Sequence, residues 1–249
     1  MAASLSAGCG VGAAAQTAAQ TAAPSETLPL RHFTVVLDAA HGGNDPGAWL
    51  GAGDSPSPET QSAMAEKAVT LAMSQRLRAL LVARGFTVIE TRQSDVALDE
   101  DARATVANHA QAGACIVLHA TEAGSGVHLF VSSLSPAQPQ LLLPWKTAQA
   151  TRVAESLKLG GTLNSALSTA GRDGESSLAI PTTLGRTTLP GIDSMTCPAV
   201  AVEVAPLREN AHGGTGKVTS AVDDADYQTR VLNALAAALL AWRSEAAAP

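Results

Sequence analysis

The chain has 249 residues, enough for one large domain or two small ones and for a sizeable core. It is 46 % hydrophobic and 15 % charged, and 16 basic residues against 22 acidic give a net charge of −6. With no cluster of Lys and Arg, that balance excludes a nucleic-acid-binding stripe. No apolar run approaches the ~18–20 residues of a membrane span.

Residues 1–29 are rich in Ala, Gly, Ser and Thr and nearly uncharged, so they cannot build a core and read as a flexible tail, with a domain over 31–246. Leu5-Ser-Ala-Gly-Cys9 resembles the end of a bacterial lipoprotein signal, but the basic and apolar regions of such a signal are missing. A shortened export signal and an incidental cysteine both stay open. Phe33–Leu37 reads as a first strand, followed by DAAHGG and a long turn-rich loop over 44–62. Val69, Met73, Leu77 and Leu80 recur at helical steps and predict a helix over Ala63–Arg84. Phe86–Thr91 reads as a strand, Asp99–Gln111 as a helix, Ala114–Leu118 as a strand ending at His119, and Val127–Ser132 as a strand. A helix is predicted over Trp145–Leu157. Residues 160–195 carry no clear pattern, and the 133–195 region leaves room for a segment that covers a site. Ala199–Val204 is a further strand and Asp226–Trp242 a closing helix. Alternating strands and helices predict a single-domain α/β sandwich with a largely parallel mixed sheet flanked by helices. Cys115 and Cys197 fall in apolar runs and read as small buried thiols, since three irregularly spaced cysteines make no disulfide framework.

Four polar residues interrupt this pattern. His41 and His119 each follow the carboxyl end of a predicted strand, where open α/β sheets bind ligands. Two unrelated loop histidines would look the same. Glu66 heads the inward face of its helix, where burial is costly without a partner, although a helix N-terminus favours an anion. Glu203 shares one face of its strand with Ala199, Ala201 and Ala205, which leaves space above it; an ion pair with Arg is the alternative. Two histidines and a carboxylate are a common catalytic zinc set, and a second carboxylate nearby suits a general base. Asp38 either accepts a hydrogen bond from a ligand histidine or caps the glycine turn. Gly213–Lys217 lacks the Gly and Ser/Thr of a phosphate loop.

From about Phe33 to Trp242 the chain resembles the zinc-dependent N-acetylmuramoyl-L-alanine amidases. The family's Asp-x-x-His-Gly-Gly turn is DAAHGG here, its Glu-Lys pair opening a helix is Glu66-Lys67, its strand ending in His is IVLHA, and its catalytic strand is AVEVA. Asn44-Asp45-Pro46-Gly47, Arg84-Gly85-Phe86, Thr91-Arg92 with Asp95, and Arg103 with Ala107-Asn108 add weaker matches. The resemblance implies Zn²⁺ held by His41, Glu66 and His119, with Glu203 as catalytic base. The implied substrate is peptidoglycan or its muropeptides, cleaved between N-acetylmuramic acid and L-alanine, in the periplasm or cell envelope. Departures stand at Ala39, Ala40, Thr121 and Ala205, which leaves a wall-binding module with little turnover as the alternative.

Overall fold

A computed structural model of the protein describes Met1 and residues 33–51, 65–137, 142–170, 179–209 and 216–246. The chain divides into two units, Met1–Arg31 and His32–Pro249, and every helix and strand below belongs to the second. The tail around Cys9, residues 52–62 of the long loop, His32, His212 and residues 213–215 lie outside the described residues.

The elements follow in chain order: β1 (Thr34–Ala39), α1 (Glu66–Val82), β2 (Thr87–Glu90), α2 (Glu100–His109), β3 (Ala114–Ala120) and β4 (Val127–Ser132). A 3-10 helix (Trp145–Thr151) then leads into α3 (Val153–Thr169), β5 (Thr182–Thr187), the single turn α4 (Pro190–Asp193) and β6 (Ala199–Val204). The short antiparallel pair β7 (Leu207–Arg208) and β8 (Val218–Ser220) precedes the closing helix α5 (Ala225–Ala246).

The main sheet has six strands in the order β2-β1-β3-β6-β4-β5. Every neighbouring pair is parallel except β4 with β6. Strand alternation sends Val35, Leu37, Ile116, Leu118, Val200 and Val202 to one face, where they pack with Met73, Leu77, Leu163, Leu167, Leu235 and Leu239 of α1, α3 and α5. The other face carries Val36, Cys115, Val117, Ala199 and Ala201 under Ala104 and Ala107 of α2 and Ile192 of α4. Small residues on this second face let its cover approach closely. Each fully buried aliphatic side chain contributes about 1.5–3 kcal/mol, so the larger cluster against α1, α3 and α5 dominates folding.

Helix ends follow local chemistry. Asp99 caps α2, its Oδ1 accepting from the Ala102 amide at 2.7 Å, and Glu100 and Asp101 sit favourably in the first turn. Helix α3 runs to Thr169, well into the stretch where the sequence carries no pattern. Its Gly160-Gly161 pair weakens the helical signal. A β-carbon at Gly160 would meet Leu184 Cδ1 of β5 at 2.9 Å, a contact that the exposed leucine side chain can relieve by turning away. Strand β5, TTLGRT, is half solvated and lacks an apolar alternation to read.

Cys115 and Cys197 are buried, as their apolar settings imply, but they are not free thiols: they form a disulfide with a Cα–Cα distance of 6.0 Å. Register explains it. Cys115 stands opposite Ala199, and Cys197 lies two residues before it, diagonally across the same sheet face. Gln149 secures this segment by donating from Nε2 to the carbonyls of Met195 and Cys197, both at 3.0 Å.

Candidate metal centre

The carboxyl ends of β1, β3 and β6 meet along one edge of the sheet, and α1 begins there. His41 follows β1 in the left-handed region, φ 62°, before Gly42 (φ 134°) and Gly43 (φ 61°). This conformation is unusual for a residue with a β-carbon. Its Nδ1 lies 2.8 Å from Asp45 Oδ2, and the Gly47 amide donates to the other Asp45 oxygen at 3.0 Å. An ionised carboxylate only accepts, so Nδ1 carries the proton and Nε2 is left to face the site. That atom is 3.1 Å from Glu66 Oε2.

Glu66 opens α1 and sits with its side chain almost fully buried. Each carboxylate oxygen takes one backbone amide and faces one imidazole. Oε2 accepts from Ala48 at 2.9 Å and faces His41; Oε1 accepts from Ala120 at 3.1 Å and lies 2.9 Å from His119 Nδ1. Burial pushes the Glu66 carboxyl up, but the hydrogen bonds from His119, His41, Ala48 and Ala120 outweigh it and hold the group well below the usual carboxylate range. The bond to Glu66 raises the His41 imidazole above its ordinary value against the opposing effect of burial, and Asp45 adds to the rise.

The three ligand atoms of His41, Glu66 and His119 lie within 4.8 Å of one another. Two imidazole nitrogens and a carboxylate oxygen, already converged on one point from three separate elements, fit a tetrahedral zinc site with one position left for water or substrate. Gly47 is the nearest constraint. At φ +67° it lies so close that a β-carbon would sit 2.6 Å from His41 Cδ2 and 2.7 Å from Glu66 Oε2.

Glu203 stands directly opposite His119 on β3 and opposite His128 on β4, so the three side chains form a row across one sheet face. It is half-buried, and no described residue holds its carboxylate by a hydrogen bond or ion pair. His128 is tied through Nδ1 to Thr183 Oγ1 at 2.9 Å. Asp38 is buried and accepts from Arg103 Nη1 at 2.6 Å and from Thr91 Oγ1, not from either histidine of the cluster. Asp45, Gly47, Arg92 and Arg103 support the His41 turn without any role read from the sequence. The signal for Asp45 and Gly47 was the Asn44-Asp45-Pro46-Gly47 match that continues the His41 turn.

A cleft of about 670 Å³ runs from His41 and His119 over Val117 and Ala201 to Ile192 and Met195. Residues from the 133–195 region, including Lys146, form part of its wall. Such a cleft with a few convergent polar groups is the usual setting of a small-ligand or peptide site.

A mostly parallel α/β sheet with two imidazoles and a carboxylate gathered at its carboxyl edge, where a cation could be held, is the arrangement of a hydrolase. A family model described as N-acetylmuramoyl-L-alanine amidase matches residues 35–241, and the chain belongs to that family. "Probable cell wall amidase LytH" of Staphylococcus saprophyticus is 43 % identical over 74 residues, a stretch covering 29 % of this chain and 23 % of that relative. The chain thus spans about a quarter of that relative's length. Among solved structures, the N-acetylmuramoyl-L-alanine amidase of Clostridium difficile 630 is similar with a TM-score of 0.59 and 17 % identity, over 86 % of this chain and 97 % of that one. Ami1 of Mycobacterium smegmatis gives 0.59 and 18 %, over 87 % and 99 %. At these identities the likeness speaks for the fold.

Proposed function

We propose that this chain hydrolyses the amide bond between the lactyl group of N-acetylmuramic acid and L-alanine in peptidoglycan, with a zinc ion held by His41, Glu66 and His119 and with Glu203 as general base. The observation that carries the reading is the convergence of those three ligand atoms within 4.8 Å beside an otherwise unheld carboxylate. Zinc in such a site polarises the scissile carbonyl and makes water a better nucleophile near neutral pH. Glu66, kept ionised by two amides and two imidazoles, supplies the negative charge that retains a cation. Asp45 fixes the orientation of the His41 ring so that Nε2 stays turned inward. Glu203, one strand over from His119, takes a proton from the attacking water as its oxygen bonds to the lactyl carbonyl carbon. It then delivers that proton to the departing nitrogen of L-alanine as the C–N bond breaks, so that one water is consumed per bond. The cleft beyond the ligands gives an extended peptide apolar walls at Val117, Ala201 and Ile192.

The substrate requires the cell envelope or periplasm as the place of action. The buried disulfide supports this compartment, because such bonds persist in oxidising surroundings. Among the described residues no helix is long and apolar enough to cross a membrane.

The test is metal analysis of the purified chain together with digestion of muropeptides and mass-spectrometric assignment of products. Free stem peptide beginning with L-alanine, and one zinc per chain, are expected. Glu203→Gln should keep the metal and lower hydrolysis by about 10²–10⁴-fold. Unchanged turnover in that variant would refute the base, and full zinc stoichiometry in His41→Ala would refute the ligand set.

A further inference from the structure

Beneath the His41 turn lie two guanidiniums that the hydrolytic reading does not use. Arg103 of α2 and Arg92, after β2, are 7 % and 3 % exposed. Arg103 donates from Nη1 to the Ala39 carbonyl at 2.7 Å as well as to Asp38, from Nη2 to the His41 carbonyl at 2.7 Å, and from Nε to Leu98 at 3.1 Å. Arg92 donates from Nε to Ala39 at 2.8 Å, and from Nη2 to Ala40 at 3.0 Å and to Lys67 at 2.7 Å. Three successive carbonyls, 39 to 41, thus turn into the protein and each is taken by a charged donor. Arg92 also bridges the residues that flank two ligands, Ala40 before His41 and Lys67 after Glu66.

This arrangement is expensive. A left-handed residue with a β-carbon is strained, and a buried cation is costly unless its hydrogen bonds are complete. Arg103 pairs with the buried Asp38, whereas Arg92 is held by carbonyls and the Thr70 hydroxyl. Such strain persists where the surroundings over-determine the backbone, and it clusters at functional sites. The planar fork of Arg103 spans the carbonyls on both sides of Ala40, which a single ammonium cannot do.

We propose that Arg103 is a positioning residue of the metal centre: by gripping the Ala39 and His41 carbonyls it holds His41 in its left-handed conformation and aims Nε2 at Glu66, so the zinc affinity of the site depends on it. Arg92 is its companion and sets the spacing between the His41 turn and the start of α1. The inference rests on the zinc reading above and goes beyond it, because Arg103 acts through the backbone and donates nothing to the ion.

The experiment measures zinc affinity by chelator competition, and thermal unfolding of the metal-free protein, for wild type, Arg103→Lys, His41→Ala and the double variant. Arg103→Lys should bind zinc about 10- to 100-fold more weakly, the range for residues that orient a ligand. In the His41→Ala background the same substitution should change affinity by less than about twofold, because its target is gone. Wild-type affinity in Arg103→Lys, or an equal loss in both backgrounds, overturns the proposal. If Arg103→Lys does not fold, Arg103→Ala is assayed with added methylguanidinium, which should restore part of the affinity where methylammonium does not; no difference between the two overturns it. A wild-type chain that binds no zinc would bring down the metal reading itself, whereas a wild type that binds tightly beside an unaffected Arg103→Lys overturns only the positioning role.

Discussion

Gly47→Ala tests the centre with the smallest possible change, one methyl group added outside the ligand set. The new β-carbon would fall 2.6 Å from His41 Cδ2 and 2.7 Å from Glu66 Oε2, where ordinary contact begins at 3.4 Å. Something must therefore yield by roughly 0.7–0.8 Å, several times the tolerance of about 0.2 Å on metal–ligand distances. Glu66 cannot swing away freely, since both of its oxygens are held by backbone amides. The backbone there is already left-handed, φ +67°, and a β-carbon in that conformation adds about 1–2 kcal/mol of strain. In a unit of this size that lowers the unfolding midpoint of the metal-free protein by about 2–8 °C. The larger effect falls on the metal: zinc affinity measured by chelator competition should drop by at least about tenfold, the minimum for a disturbed ligand shell. A Gly47→Ala protein with wild-type zinc affinity would refute the placement of His41 and Glu66 as joint ligands.

Two further outcomes follow from the same geometry. The Cys115–Cys197 bond closes a separation of 82 residues, so the chain-entropy relation gives about 4–5 kcal/mol as its contribution. Cys197→Ala should lower the unfolding midpoint sharply, and the wild type should show the same drop when unfolded with reductant; equal midpoints with and without reductant would remove the bond from the account. The pH profile of the metal-free protein should be domed. Glu66 is depressed from its ordinary 4.5, so its contribution is full above that value and is lost as pH falls toward the lowered one. His41 is raised above 6.5, so its contribution is full below 6.5 and is lost as pH climbs through the raised value. Thermal unfolding across pH should therefore show a maximum between about 4.5 and 6.5, and Glu66→Gln should flatten the acid limb. An acid limb of the same slope in that variant would show that other carboxylates carry it.

The residues that converge at the sheet edge were legible because each breaks an apolar pattern at the end of an element. His119 closes ACIVL, Glu66 heads a helical face, and Glu203 interrupts a valine–alanine strand. Strand β4 and strand β6 carry the predicted bounds, since their apolar alternation has no competing signal. Helix α3 was half hidden because its Gly160-Gly161 pair weakens the helical signal, while Leu159, Leu163 and Leu167 hold it in the core. The disulfide was invisible because it depends on β3 and β6 being neighbours, a fact of strand order that composition does not encode. Arg92 and Arg103 stood in the sequence only as weaker matches without a role, for a similar reason. A charged residue in a polar stretch reads as solvated until the tertiary fold shows which carbonyls it reaches.

The choice of arginine under the His41 turn has a bearing on how the protein meets acid. Imidazoles gain protons within the range that living surroundings span, but guanidinium stays protonated throughout it. The support for the turn therefore keeps one electrical state while the side chains above it change theirs. Mild acidification should release a cation bound there and leave the turn standing, ready to refill when neutrality returns, with no refolding in between.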